Sequence, residues 1–198
     1  MILASDGNLY LAGHIQEYYT TQEDILVMQL DLDGNILWQQ KYAGSGMDFS
    51  VGLQELSDGS LLVGGYSWSF SAAYPDLFLL NLDTNGDLLW QRGYYGYEYE
   101  TGGLVGQLGG DEFLVCGNTQ SYGVQQYVEA KKDIWLLKTT GQGYCPPLDY
   151  DTAFVQETAT SMVVTDTSFI PVDISLGEVV TSATVYAADQ YTVEQQAP

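Results

Sequence analysis

Apolar residues in this chain come in short runs, five to eight residues long, broken by Gly, Asp, Asn and Ser. No stretch carries a helical period, so the elements the pattern predicts are strands. The runs repeat. Asp24-Ile25-Leu26-Val27-Met28-Gln29-Leu30-Asp31 returns as Asp76-Leu77-Phe78-Leu79-Leu80-Asn81-Leu82-Asp83, and again as Asp133-Ile134-Trp135-Leu136-Leu137-Lys138. Ser5-Asp6-Gly7-Asn8-Leu9 returns as Ser57-Asp58-Gly59-Ser60-Leu61, and more loosely as Gly109-Gly110-Asp111-Glu112-Phe113. A fixed spacing of 52 residues separates Gly13 from Gly65, Asp24 from Asp76 and Trp38 from Trp90, whereas Asp133 follows Asp76 by 57. The third copy therefore holds a five-residue insertion before Asp133.

Each copy reads as four short strands, in the second copy near 60–65, 77–83, 87–94 and 103–108. Asp33-Gly34, Asn85-Gly86 and Asp58-Gly59 supply the positive φ that tight hairpins require. The run from Leu77 to Leu82 is apolar on both alternating faces, as expected of a sheet packed between two others. Four strands recurring every 50 residues or so define an all-β fold of β-propeller blades. A β-helix needs shorter coils, and a β-sandwich does not repeat its hairpins at a fixed interval. The expected organisation is three blades over 1–143 followed by a Thr/Val-rich β tail or stalk over 144–198, with Cys145-Pro146-Pro147 at the boundary because consecutive prolines stop a ladder.

Charge changes the picture of partners. The 198 residues carry 26 carboxylates against five Lys and Arg, a net charge of −21. Such a chain is a poor match for nucleic acid or an anionic membrane, both of which need a basic patch. No apolar run approaches the length of a membrane-spanning helix. The opening MILASDGNLYLAGH lacks a basic-then-apolar leader and reads as starting inside a repeat. Two cysteines, Cys116 and Cys145, are too few for a zinc site or a disulfide framework; one bridge and two packed thiols both remain open.

The motifs Leu30-Asp31-Leu32-Asp33-Gly34-Asn35-Ile36-Leu37-Trp38 and Leu82-Asp83-Thr84-Asn85-Gly86-Asp87-Leu88-Leu89-Trp90 resemble the core of bacterial secreted and cell-surface propeller repeats of uncharacterised function. They are also similar to the tryptophan-docking repeat of quinoprotein propellers, with one residue fewer between Asp and Gly. The resemblance covers residues 1–143. It implies an extracellular or cell-surface location, and it implies that Trp38 and Trp90 pack between blades. Gly13, Gly65 and Gly117 recur at equivalent positions and read as structural.

Up-and-down topology gathers the long connections 14–23, 43–49, 66–75, 94–102 and 118–132 at one end of the blades and the tight turns at the other. Function on a repetitive scaffold concentrates in such loops. These are rich in aromatics, of which Tyr18, Tyr19, Trp68, Tyr74, Tyr95, Tyr97, Tyr122 and Tyr127 are the candidate binding residues for a glycan or protein. The competing reading is that the rings pack on one another and stiffen the loops. Asp31, Asp33, Asp83, Asn85 and Asp87 lack the closing bidentate Glu of a calcium loop and fit ordinary turn chemistry, so no metal or cofactor is expected. His14 is the single histidine, which leaves no catalytic dyad.

The expected function is a non-catalytic binding module. Two alternatives stand beside it. One is an assembly subunit that completes a ring or filament with other chains, since three blades leave two apolar faces uncovered; a homo-oligomer or a longer propeller would cover them. The other is a fragment of a propeller glycosidase or lyase using carboxylates among Asp48, Glu98, Glu100 and Asp111.

Overall fold

The computed structural model describes residues 1–16, 21–70, 73–121 and 132–145, together with two short strands at 156–158 and 163–166. The chain divides into compact units Met1–Thr167 and Ser168–Pro198. The first unit holds the described strands; the second lies outside the described residues.

Three antiparallel sheets account for the described chain. The first joins β1 (Ile2–Leu3), β2 (Leu9–Gln16), β3 (Glu23–Leu30) and β4 (Ile36–Ala43). The second joins β5 (Asp48–Glu55), β6 (Leu61–Ser67), β7 (Asp76–Leu82) and β8 (Leu88–Tyr95). The third holds β9 (Glu100–Gln107), β10 (Glu112–Thr119) and β11 (Asp133–Thr140). Strands are paired in sequence order within each sheet, so each sheet is one propeller blade. Two further strands, β12 (Gln156–Thr158) and β13 (Val163–Asp166), add antiparallel to the outer edges of β8 and β4 respectively. Part of the segment after residue 143 thus belongs to the blade-bearing unit.

One expectation is corrected. The strand near 103–108 does not close the second blade. It is β9, and it pairs with β10 across the short turn at 108–111. Every blade therefore begins one strand earlier than the periodicity alone suggests. The ends of the blades are unaffected: long connections still gather at one end and tight turns at the other.

The tight turns form for local reasons. Gly34 and Gly86 take φ of 86° and 84°, and each donates its N–H to the carbonyl of Asp31 or Asp83. The Asp side chains accept from the turn's own backbone, Asp31 from Asn35 N–H at 2.8 Å and Asp83 from Asn85 and Asp87 N–H at 2.8 and 2.9 Å. Hydrogen bonds from Asn35 hold the Asp31 carboxyl below its ordinary value. The same backbone turn recurs at Thr140–Tyr144 with Gly143 at φ 78°.

Blades pack face to face through two cores that match position by position. At the first junction Tyr10, Ile25, Val27 and Tyr42 of blade 1 meet Leu61, Val63, Phe78, Leu80 and Leu82 of blade 2. At the second, Leu62, Leu77, Leu79 and Tyr94 of blade 2 meet Phe113, Val115, Trp135 and Leu137 of blade 3. Strand β7 is buried along its whole length because its two faces serve both junctions.

Each junction is also locked by aromatics reaching onto the next blade's tight turn. Trp38 Nε1–H donates to the Thr84 carbonyl at 2.9 Å, and the Tyr42 hydroxyl donates to the Gly86 carbonyl at 2.5 Å. The Tyr94 hydroxyl does the same to Gly143 at 2.6 Å, with the Trp90 ring beside that glycine. Trp38 packs against the first inter-blade core and Trp90 against the second. Of the recurring glycines, a Cβ on Gly65 would lie 1.9 Å from the Phe49 carbonyl oxygen and one on Gly117 would lie 2.7 Å from that of Thr101. A Cβ on Gly13 would meet nothing within 4 Å. β1 pairs only with Leu9 and Tyr10, so no described strand lies beside Gly13 on that edge.

Cys116 and Cys145 are not joined by a disulfide. Cys145 packs against the second core, and Cys116 lies on β10, where it pairs with Leu104 and Leu136.

Candidate functional site

The long-loop end is held rigid by a polar clamp that has no signature in the sequence. Asp48, the first residue of β5, is fully buried. It accepts hydrogen bonds from the Ser67 hydroxyl, from the Ser69 hydroxyl at 2.8 Å and from Gly44 N–H at 2.9 Å. Glu100 repeats this at the start of β9, accepting from Gly96 N–H at 2.9 Å and the Thr119 hydroxyl at 2.8 Å. Ser121 extends the clamp by accepting from the N–H groups of Tyr97 and Glu98, both at 2.8 Å. Each clamp ties the four-residue crossing between blades (44–47 or 96–99) to the end of the blade's second strand. One buried carboxylate among 26 acids gives no sequence signal of its own.

Burial pushes the Asp48 carboxyl up from its ordinary value, against the hydrogen bonds from Ser67, Gly44 and Ser69. Its folded pKa then lies above its unfolded one, so the native state holds this proton more tightly. Its contribution to stability is present at low pH and is lost as pH rises through the folded value. Asp58, held below its ordinary value by Ser60, acts oppositely: its contribution is present above the unfolded value and lost as pH falls through the folded one. Asp48→Asn removes only the first effect. Thermal melts of both proteins between about pH 4 and pH 7 are therefore expected to show the variant gaining on wild type as pH rises. A pH-independent difference would contradict this.

The candidate aromatics divide between packing and exposure. Trp68 packs into a cluster, its ring centroid 5.9 Å from Phe49 and 5.7 Å from Tyr66, while Phe49 stacks on Tyr66 at 5.1 Å and takes the His14 ring edge at 5.0 Å. Tyr74 pairs with Tyr99 at 4.8 Å. Tyr95 is half-buried at the end of β8. Tyr97 stands out at 76% exposure on a backbone pinned by Ser121. Tyr99, 39% exposed, belongs with it. Tyr18, Tyr19, Tyr122 and Tyr127 lie outside the described residues. Phe49, at the end of the 43–49 connection in sequence and not among the candidates, lies in β5.

The four carboxylates weighed for glycoside hydrolysis do not gather. Asp48 and Glu100 serve the clamps of successive blades, Glu98 is exposed on the rim, and Asp111 lies at the opposite, tight-turn end.

A cavity of about 650 Å³ lies at that opposite end, between the turns of blades 2 and 3, lined by Asp58, Ser60, Asn81, Gln107, Asp111 and Tyr144 among others. The repeat counterpart of Tyr10 in blade 2 is Leu62, which has no hydroxyl. In blade 1 the Tyr10 hydroxyl joins the counterparts of Asp58 and Asn81, donating to Asp6 at 3.0 Å and accepting from Gln29 at 2.7 Å. Several polar groups of the cavity already serve one another: Asn81 donates to Ser60 at 3.0 Å, Ser60 to Asp58 at 2.7 Å, and Gln107 to Ser57 at 3.1 Å.

Blade order, junction locks and turn chemistry together define a β-propeller repeat protein. Residues 56–88 match the model of a family described as a domain of unknown function (DUF5122) β-propeller. That segment runs from the first tight turn of blade 2 through its second, covering β6, β7 and the start of β8. No curated protein matches the chain.

Proposed function

We propose that the chain is a non-catalytic, extracellular or cell-surface propeller module that binds a glycan or protein ligand through its long-loop rim, an uncharged glycan being the ligand the rim suits best. The observation that carries this is Tyr97: a ring largely in solvent on a backbone held by two hydrogen bonds to one serine, with exposed Tyr99 nearby in sequence. Holding aromatics in place before binding lowers the ordering cost of stacking on a sugar face. The net charge of −21 disfavours anionic ligands. The long-loop carboxylates Asp48 and Glu100 are committed to the clamps, which supports binding over hydrolysis.

A glycan array followed by titration of the strongest ligand tests the reading. Tyr97→Ala is expected to weaken binding by about tenfold or more, equivalent to about 1.4 kcal/mol, with melting unchanged. An array without ligands, or a Tyr97→Ala protein that binds like wild type, would end it.

A further inference from the structure

We propose that this chain pairs head to tail with a second copy of itself, the open face of blade 3 in one copy packing on the open face of blade 1 in the other, so that two three-bladed chains close one ring of six. The repeat itself supplies the reason. Blade 2 uses one face, with Leu62, Leu77 and Leu79, to cover blade 3, and all three side chains are fully buried. The residues at those repeat positions in blade 3 are Leu114, Ile134 and Leu136, and Ile134 and Leu136 are 81% and 58% exposed. Leu104, 59% exposed, lies on the same face beside Cys116.

Blade 1 carries the complementary half. Blade 2 meets blade 1 through Leu61, Val63, Phe78, Leu80 and Leu82. Their counterparts in blade 1 are Leu9, Leu11, Leu26, Met28 and Leu30, half-buried, with Ile36 at 37% exposure standing for Leu88. The two open faces are thus the two sides of an interface that this chain already forms twice. A face that completes itself only against a different face of the next copy makes a heterologous contact, which is stable in solution when the ring closes.

The shared junction keeps the sheet faces but lacks the aromatic lock. Counting on by the 57 residues that relate β7 to β11, the sequence carries Pro147 and Asp151 as the counterparts of Trp90 and Tyr94, both outside the described residues. The association is therefore weaker than the internal junctions and reverses on dilution. Closure sets the long-loop ends of both chains on one side of the ring.

Sedimentation equilibrium across the micromolar range tests this with the full chain. Wild type is expected at twice the 21.8 kDa chain mass, falling toward one chain on dilution. Leu136→Glu on blade 3 and Ile36→Glu on blade 1, both at exposed positions, are each expected to leave single chains with unchanged circular dichroism. Mixing the two variants is expected to restore a pair, because one of the two junctions then joins unaltered faces. Wild type running as one chain at every concentration would overturn the proposal. So would species larger than two chains, or a pair that survives Ile36→Glu.

Discussion

Gly103→Ala is expected to destabilise the protein by about 3 kcal/mol or more, enough to abolish a cooperative melt in a marginally stable chain. Gly103 is the extra residue of a β-bulge: Leu104 pairs with Cys116 and Gly102 with Gly117, leaving Gly103 between them. The bulge presses β9 onto the glycines of β6. A Cβ on Gly103 would sit 2.3 Å from Gly65 N, and one on Gly64 would sit 2.2 Å from the Gly103 carbonyl oxygen. These obstacles are backbone atoms, which cannot swing aside as a side chain would. The φ of 116° adds strain for any residue with a Cβ. Gly13→Ala is the matched control: with φ outside the positive region and nothing within 4 Å of the added carbon, it is expected to be neutral or slightly stabilising. Urea denaturation of the two variants separates a steric requirement from mere recurrence in the repeat.

Tyr94→Ala is expected to cost about 3–5 kcal/mol, the range for deleting a buried aromatic side chain. Its ring is fully buried in the second core, and its hydroxyl ties that core to the turn of blade 3 through the Gly143 carbonyl. Tyr94→Phe isolates the polar part. It removes the donor and leaves a buried carbonyl acceptor short of its partner, so a loss of about 1–3 kcal/mol is expected. Tyr42→Phe, which acts on Gly86 in the same way, is expected to show a loss of similar size. A Tyr94→Phe protein as stable as wild type would mean that packing alone holds the blades and that the lock contributes nothing.

The parts of this architecture that repeat are legible in the sequence. The 52-residue spacing, the Gly34 and Gly86 turns and the two-faced β7 all carry local signatures that do not depend on what the rest of the chain does. The cut between blades is not legible. In a run of antiparallel strands any four consecutive members satisfy the same periodicity, and only hydrogen-bond pairing tells whether β9 continues the second blade or begins the third. Gly143 escapes notice as the third turn glycine because Thr140-Gly141-Gln142-Gly143 replaces the Asp-containing turns. On the rim, composition locates the aromatics but does not sort them. Trp68 and Tyr74 find ring partners while Tyr97 remains exposed, and that depends on side-chain geometry across the blade crossings. The carboxylate clamps leave no trace because an acid that caps a crossing and an acid on the surface look alike in sequence.

Successive blades dock through one recurring junction, and β9 opens the third blade. Nuclear Overhauser contacts in the intact chain test this arrangement most directly. Contacts from the Tyr42 and Tyr94 rings to Gly86 and Gly143 are expected, together with cross-strand contacts joining β9 to β10. Cross-strand contacts joining β9 to β8, or tyrosine rings remote from both glycines, would contradict it.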